Sequence, residues 1–284
     1  MTSGVIKVEY CVAYDWARLE HSLPAVYAQA DRICLSIDRD RKSWSGERYE
    51  FDEGAFRALL ARLDPDHKVE VYEDDFHRPD LDPMGNDIRQ RRLMAQHMGE
   101  GGWHVQVDVD EYFLDFAGFV AELRRLDPEP RPERRPMCVY ARWTPLFKRV
   151  EGGYLYVDFG GKAGEQAPIA TNCPEYVNSR VTQGKAVHTP FVVVHDTWAR
   201  SEAELWQKFS NWGHAKDFDA RSYFNLWKAV DAANCRYLRD FHPLYGPDWP
   251  RLGFHAAADI GELIQAFRAA PAPGRPRWAP FRRR

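Results

Sequence analysis

The stretch Trp103–Phe116, "WHVQVDVDEYFLDF", decides how this chain is read. Its Val- and aromatic-rich first half has the composition of a buried β-strand. Its second half sets Asp108, Asp110 and Glu111 within four positions. Like charges this close repel, and burial raises the cost of ionising each one, so something positive is expected among them. Residues i and i+2 of a strand share a face, with Cα atoms ~6.6 Å apart. Asp108 and Asp110 can therefore converge on one ion where the strand gives way to a loop. Carboxylate oxygens suit a hard cation, Mg²⁺ or Mn²⁺, with water and a phosphate-bearing substrate filling the rest of its shell. The competing reading is a solvated turn whose charges face water.

Upstream, residues 5–14 ("VIKVEYCVAY") predict a first strand, 16–30 a helix with Pro24 at its start or at a kink, and 32–38 ("RICLSID") a second strand. Residues 52–63 form an amphipathic helix with Phe56, Leu59, Leu60 and Leu63 on one face. A third strand over 68–73 and a helix over 86–98, ended by Gly99, Gly101 and Gly102, lead to the Trp103 strand. Strands alternating with helices over the first ~110 residues imply an α/β fold with a Rossmann-like, mostly parallel sheet and flanking helices. Ligands bind such sheets beyond the carboxyl ends of the strands. Tyr14, Asp38 and the Asp108–Glu111 turn all fall there.

The second half predicts a small antiparallel part. Residues 137–159 read as strands about a turn at Gly152–Gly153, and 160–178 as a Gly/Pro/Asn-rich loop shaped around a ligand. A strand, "PFVVVHDTW", covers 190–198. Ser201 and Glu204 open a helix with a capping box, and further helices are expected over 221–238 and 258–270. One domain over 1–274 is expected, with a nucleotide-binding half at 1–115 and an acceptor-side half at 116–274. A basic tail, 275–284, is expected to be mobile.

The 284 residues carry a net charge of only -3 and 44% hydrophobic residues, ample for a core and neutral toward nucleic acid or an anionic membrane. Cys11, Cys34, Cys138, Cys173 and Cys235 show no C-x-x-C or zinc-like spacing, as expected of reduced thiols in the cytoplasm. No apolar run approaches the ~18 residues of a membrane span, and the N-terminus lacks a signal peptide's pattern.

In "CVAYDW", "LSIDRD", "NDIRQRRLMAQ", "VDVDEYF" and, more loosely, "VVHDTWARSEAELWQKFSNWGHA", the chain resembles the nucleotide-sugar glycosyltransferases of the A-type fold, the family 2-like enzymes in particular. The resemblance spans most of residues 5–215. It implies metal-dependent, inverting transfer of a sugar from a nucleoside-diphosphate sugar to a glycan, lipid-linked or other hydroxyl acceptor. It further implies that Asp38 contacts the base, Tyr14 lines the base pocket, Asp108 holds the ribose or the metal, and Asp110 ligates the metal. His195, emerging at a strand end, is then the late metal ligand, or else a histidine that bonds the following loop. Arg89 and Arg92, one helical turn apart, either meet the base or diphosphate or belong, with Arg91, to a solvated helix face. The proton-accepting base stays open among Asp158, Glu165 and Glu175. Trp198, Trp206 and Trp212 stack on sugars or serve the core. Rival readings are a metal-dependent phosphodiesterase or nuclease and a non-catalytic nucleotide- or glycan-binding protein.

Overall fold

A computed structural model describes residues 4–131, 135–162, 164–211 and 217–270. The basic tail and Trp212 lie outside them. Strands β1 (Ile6–Val12), β2 (Arg32–Asp38), β3 (Val69–Asp74) and β4 (Trp103–Asp108) are mutually parallel, in the order β3-β2-β1-β4. The chain steps outward from β1 through β3 and then returns to place β4 on β1's other side. That reversal opens a crevice between the carboxyl ends of β1 and β4, the position where open α/β sheets bind ligands.

Helices α1 (Leu19–Tyr27) and α2 (Glu53–Leu63) cover one face, α3 (Pro83–Met98) covers the other, and α4 (Phe116–Leu126) joins α1 and α2. Alternation along the strands explains the division. Ile6, Val8, Tyr10 and Val12 of β1 and Trp103, Val105 and Val107 of β4 form the core with α1, α2 and α4. Lys7, Glu9, His104 and Gln106 take the intervening positions and are just as buried on the other side. "WHVQVD" is thus two rows, one apolar and one polar, and the polar row runs into Asp108. Gly102 precedes β4 at φ 78°, and a Cβ there would lie 2.7 Å from the Val5 carbonyl oxygen. Only glycine fits that approach.

The rest of the sheet comprises β5 (Glu111–Phe113), β6 (Met137–Val150), β7 (Gly153–Val157), β8 (Glu165–Thr171), β11 (Lys185–His195) and β12 (Leu252–Ala256). A separate two-stranded ribbon, β9 (Tyr176–Asn178) and β10 (Val181–Thr182), packs by α3. The order β12-β7-β6-β8-β4-β1-β2-β3, with β11 on β6 and β5 on β11, makes one ten-stranded mixed sheet that joins both halves. Helices α5 (Glu202–Asn211), α6 (Ala220–Ala229) and α7 (Ile260–Ala269) complete the second half. Phe147, Trp198, Phe209, Trp227 and Trp249 build a second core there. No helix among the described residues is long and apolar enough to cross a membrane.

Two sequence expectations need correction. The expected loop over 160–178 contains β8, inserted antiparallel between β4 and β6. Pro168 hid it, yet this proline stands opposite Tyr140 at a register shift, where a strand tolerates a missing donor. The helix expected over 221–238 stops at Ala229 because the Asp231 carboxylate accepts the N–H groups of Ala233 and Asn234, both at 2.8 Å, in a competing turn.

Candidate functional site

A cavity of about 520 Å³ opens at the carboxyl ends of β1 and β4, within the ~300–1,000 Å³ usual for ligand sites. Tyr14, Trp44, Asp108, Asp110, Glu165 and Arg180 line it, with His195 and Lys208 against Asp110.

The positive charge expected among the acids is supplied by four side chains of the protein. Asp108 ends β4, where its Oδ1 accepts from Arg91 Nη2 at 3.0 Å and its Oδ2 lies 3.6 Å from Arg180. Glu111, wholly buried, takes both Arg180 Nη groups, at 2.7 and 2.8 Å. This bidentate pairing fixes the guanidinium. Asp110 lies in the turn beyond β4, so the strand spacing does not govern it. Its Oδ2 accepts from Lys208 Nζ at 2.7 Å and from Arg200. Its backbone carbonyl accepts Asp196 N–H at 2.8 Å, which ties the turn to the end of β11. Burial opposes ionisation of both aspartates, yet Arg91 and Arg180 keep Asp108 below the carboxylate range, and Lys208 and Arg200 keep Asp110 well below it.

Asp110 Oδ1 faces His195 Nε2 at 3.7 Å, and neither atom is in a hydrogen bond with a described residue. Burial pushes the His195 imidazole down to about 3, so it stands neutral, the form in which a histidine binds metal. The two donors fit a divalent cation whose other ligands come from solvent or substrate. Among the described residues no group of three or more acidic, histidine or cysteine side chains is disposed to hold a metal.

The other predicted residues distribute as follows. Tyr14 lines the cavity, edge-on to Tyr49 at 6.1 Å, with its hydroxyl pushed up by burial. Asp38 lines it too, but its Oδ1 accepts the N–H groups of Asp40 (3.0 Å) and Lys42 (3.1 Å), and its Oδ2 those of Phe76 (3.1 Å) and His77 (3.0 Å). A carboxylate has about four acceptor sites, and here all are used to hold the loops after β2 and β3. Arg89 and Arg92 point elsewhere, to the carbonyls of Asp75 and Tyr176, and the arginine of that helix in the site is Arg91. Asp158 pairs with Arg251 at 2.7 Å and Glu175 is exposed, both away from the cavity, whereas Glu165 lines it. Burial raises the Glu165 carboxyl, against a hydrogen bond from Trp249 Nε1 at 3.1 Å. Trp198 belongs to the second core and Trp206 packs against it.

Sequence reasoning missed Arg180, Arg200 and Lys208. Arg91 had a signal, four residues after Asp87 on one helix face, and Asp87 holds its Nε at 2.6 Å. Arg180 and Arg200 had none, since each is a single arginine in an irregular segment. No protein-family model matches the chain, and no curated protein matches it in sequence.

Proposed function

We propose that this chain is a metal-dependent glycosyltransferase of the A-type fold that moves a sugar from a nucleoside-diphosphate sugar to a hydroxyl acceptor with inversion. The observation that carries this reading is the meeting, at the β1/β4 switch point, of Asp110 Oδ1 with a neutral His195 Nε2, next to the Lys208 and Arg200 cations and in a cavity that Glu165, a carboxyl of raised proton affinity, also lines. Asp110 and His195 would hold Mn²⁺ or Mg²⁺, which supplies charge stabilisation at a leaving diphosphate. Tyr14 and Trp44 offer ring surface to the base. Arg91 and Arg180 orient the Asp108–Glu111 turn, and Glu165, which lines the same cavity, would accept the acceptor's proton. Its raised proton affinity brings it nearer to neutral pH, as a general base requires. A two-metal phosphodiesterase calls for a larger set of acids and histidines than the Asp110–His195 pair.

Incubation of the chain with a panel of nucleotide sugars, Mn²⁺ and simple saccharides, followed by proton NMR, tests the reading. Release of a nucleoside diphosphate together with a product of inverted anomeric configuration is expected. Retained configuration removes the inverting mechanism. Binding without turnover across the panel favours a non-catalytic binding protein.

A further inference from the structure

We infer that Lys208 is the protein's own ligand for the donor's diphosphate, an inference that rests on the glycosyltransferase reading. Among the described residues five cations surround the acidic turn, and each of the four arginines holds at least two internal partners, although the Arg200 Nε is buried without one. Arg91 donates to Asp87, Gln106 and Asp108, and Arg180 to Glu111 and the Gln106 carbonyl. Arg200 donates to Asp15 and Asp110, and Arg18 to Asp196 and Glu204. Lys208 differs. Its ammonium carries three N–H donors, lines the cavity, and among the described residues makes one hydrogen bond, to Asp110. Its side chain is 18% exposed, against 0% for Arg200.

Seven carboxylates (Asp15, Asp87, Asp108, Asp110, Glu111, Asp196, Glu204) face five cations (Arg18, Arg91, Arg180, Arg200, Lys208), a difference of two negative charges before any phosphate arrives, so a cation with unused donors is the protein group best able to meet one. A lysine on a flexible four-carbon stem can turn toward an entering phosphate while keeping Asp110 within reach, as a guanidinium locked in a fork cannot. Helix α5 holds it in place at both ends. Ser201 and Glu204 form the capping box, with Ser201 N–H donating to Glu204 Oε2 at 2.9 Å. One turn beyond Lys208, Asn211 Oδ1 accepts from Ser43 Oγ at 2.6 Å and Asn211 Nδ2 donates to Glu47 at 3.0 Å. Lys208 is thereby fixed between the acidic turn and the loop after β2.

In the transfer step the bond between the anomeric carbon and the β-phosphate oxygen breaks, and both its electrons pass to that oxygen. The acceptor oxygen bonds the anomeric carbon and gives its proton to Glu165. Lys208 donates to the diphosphate as that charge develops.

Calorimetric titration of the full chain with uridine, adenosine, guanosine and cytidine diphosphates, each with Mn²⁺, tests this. The same titrations are run on Lys208→Met, Lys208→Gln and Lys208→Arg, and Mn²⁺ affinity is read separately by electron paramagnetic resonance. The expected result is a loss of at least tenfold in affinity for the preferred diphosphate in the Met and Gln variants, partial recovery in Arg, and Mn²⁺ affinity within threefold of wild type. Diphosphate binding within twofold of wild type in the Met and Gln variants overturns the role of Lys208 alone. An equal loss of Mn²⁺ and diphosphate affinity assigns Lys208 to orienting Asp110 and also overturns it. A wild-type chain that binds none of the four diphosphates removes the donor reading and this inference together.

Discussion

Asp38 shows how a side chain can sit in a site without being offered to a ligand. Its carboxylate accepts four backbone N–H groups, one of them from the buried Phe76, so its removal strands donors in two loops at once. A buried donor left without a partner costs ~1–3 kcal/mol, so Asp38→Ala is expected to lose roughly 2–5 kcal/mol in urea unfolding. An unfolding midpoint equal to wild type, with nucleotide binding lost, would return Asp38 to base recognition. Glu165 is the opposite case, a carboxyl kept from full solvation and raised by burial. The acid limb of kcat/KM should therefore fall above the ordinary carboxylate range, activity dropping as the pH falls through it and Glu165 gains its proton. Glu165→Gln should cut kcat by ~10²–10⁴-fold and remove that limb, while a variant that keeps both places the base elsewhere.

At the scale of elements, helix α5 joins a capped start at Ser201–Glu204 to Lys208, the residue proposed to meet the diphosphate, one turn further on. Ser201→Ala removes a reciprocal cap worth ~1 kcal/mol. It should lower the melting temperature and weaken diphosphate binding together, because Lys208 and Asn211 lie on the helix that frays. Loss of stability with binding untouched would show that the helix start and the site are uncoupled. How far the elements were legible depended on their periodicity. The β/α alternation through β4 read directly, because β1, β2 and β4 are short, buried Val/Ile/aromatic runs separated by helix-compatible stretches. Strand β8 did not, since Pro168 and the glycines just before the strand carry loop signals, and only the pairing with β4 and β6 reveals it. The polar row of β4 was in plain view in "WHVQVD", but its burial depends on α3 and the β9–β10 ribbon, which no local pattern assigns to that face. The same limit applied to the site. Asp108, Asp110 and His195 were found because strand ends mark them, whereas Arg180, Arg200 and Lys208 reach the turn from distant segments by tertiary packing alone.

Across the whole molecule, a ten-stranded sheet joins a Rossmann-like half to a mixed half, and the proposed donor and acceptor sides meet at their junction. Burial of His195 there has a consequence for acid stability. Its imidazole titrates near 6.5 when unfolded and about 3 in the native chain. Across that window the unfolded state binds a proton that the native state refuses, so stability falls as the pH falls from 6.5 toward 3. His195→Asn should flatten the dependence of unfolding free energy on pH over that range, and an unchanged slope would show that the native imidazole accepts its proton normally. The same substitution tests the central claim. Titration calorimetry of wild type with nucleoside diphosphates, in Mn²⁺ and in chelator, should give one diphosphate bound tightly only with the metal. At one hundred times its Kd, that ligand should stabilise the fold by ~2.7 kcal/mol. His195→Asn should lose the metal effect while staying folded. Nucleotide affinity identical in Mn²⁺ and in chelator, or no nucleotide bound in either, would contradict a metal-dependent nucleotide-sugar site at the end of β4.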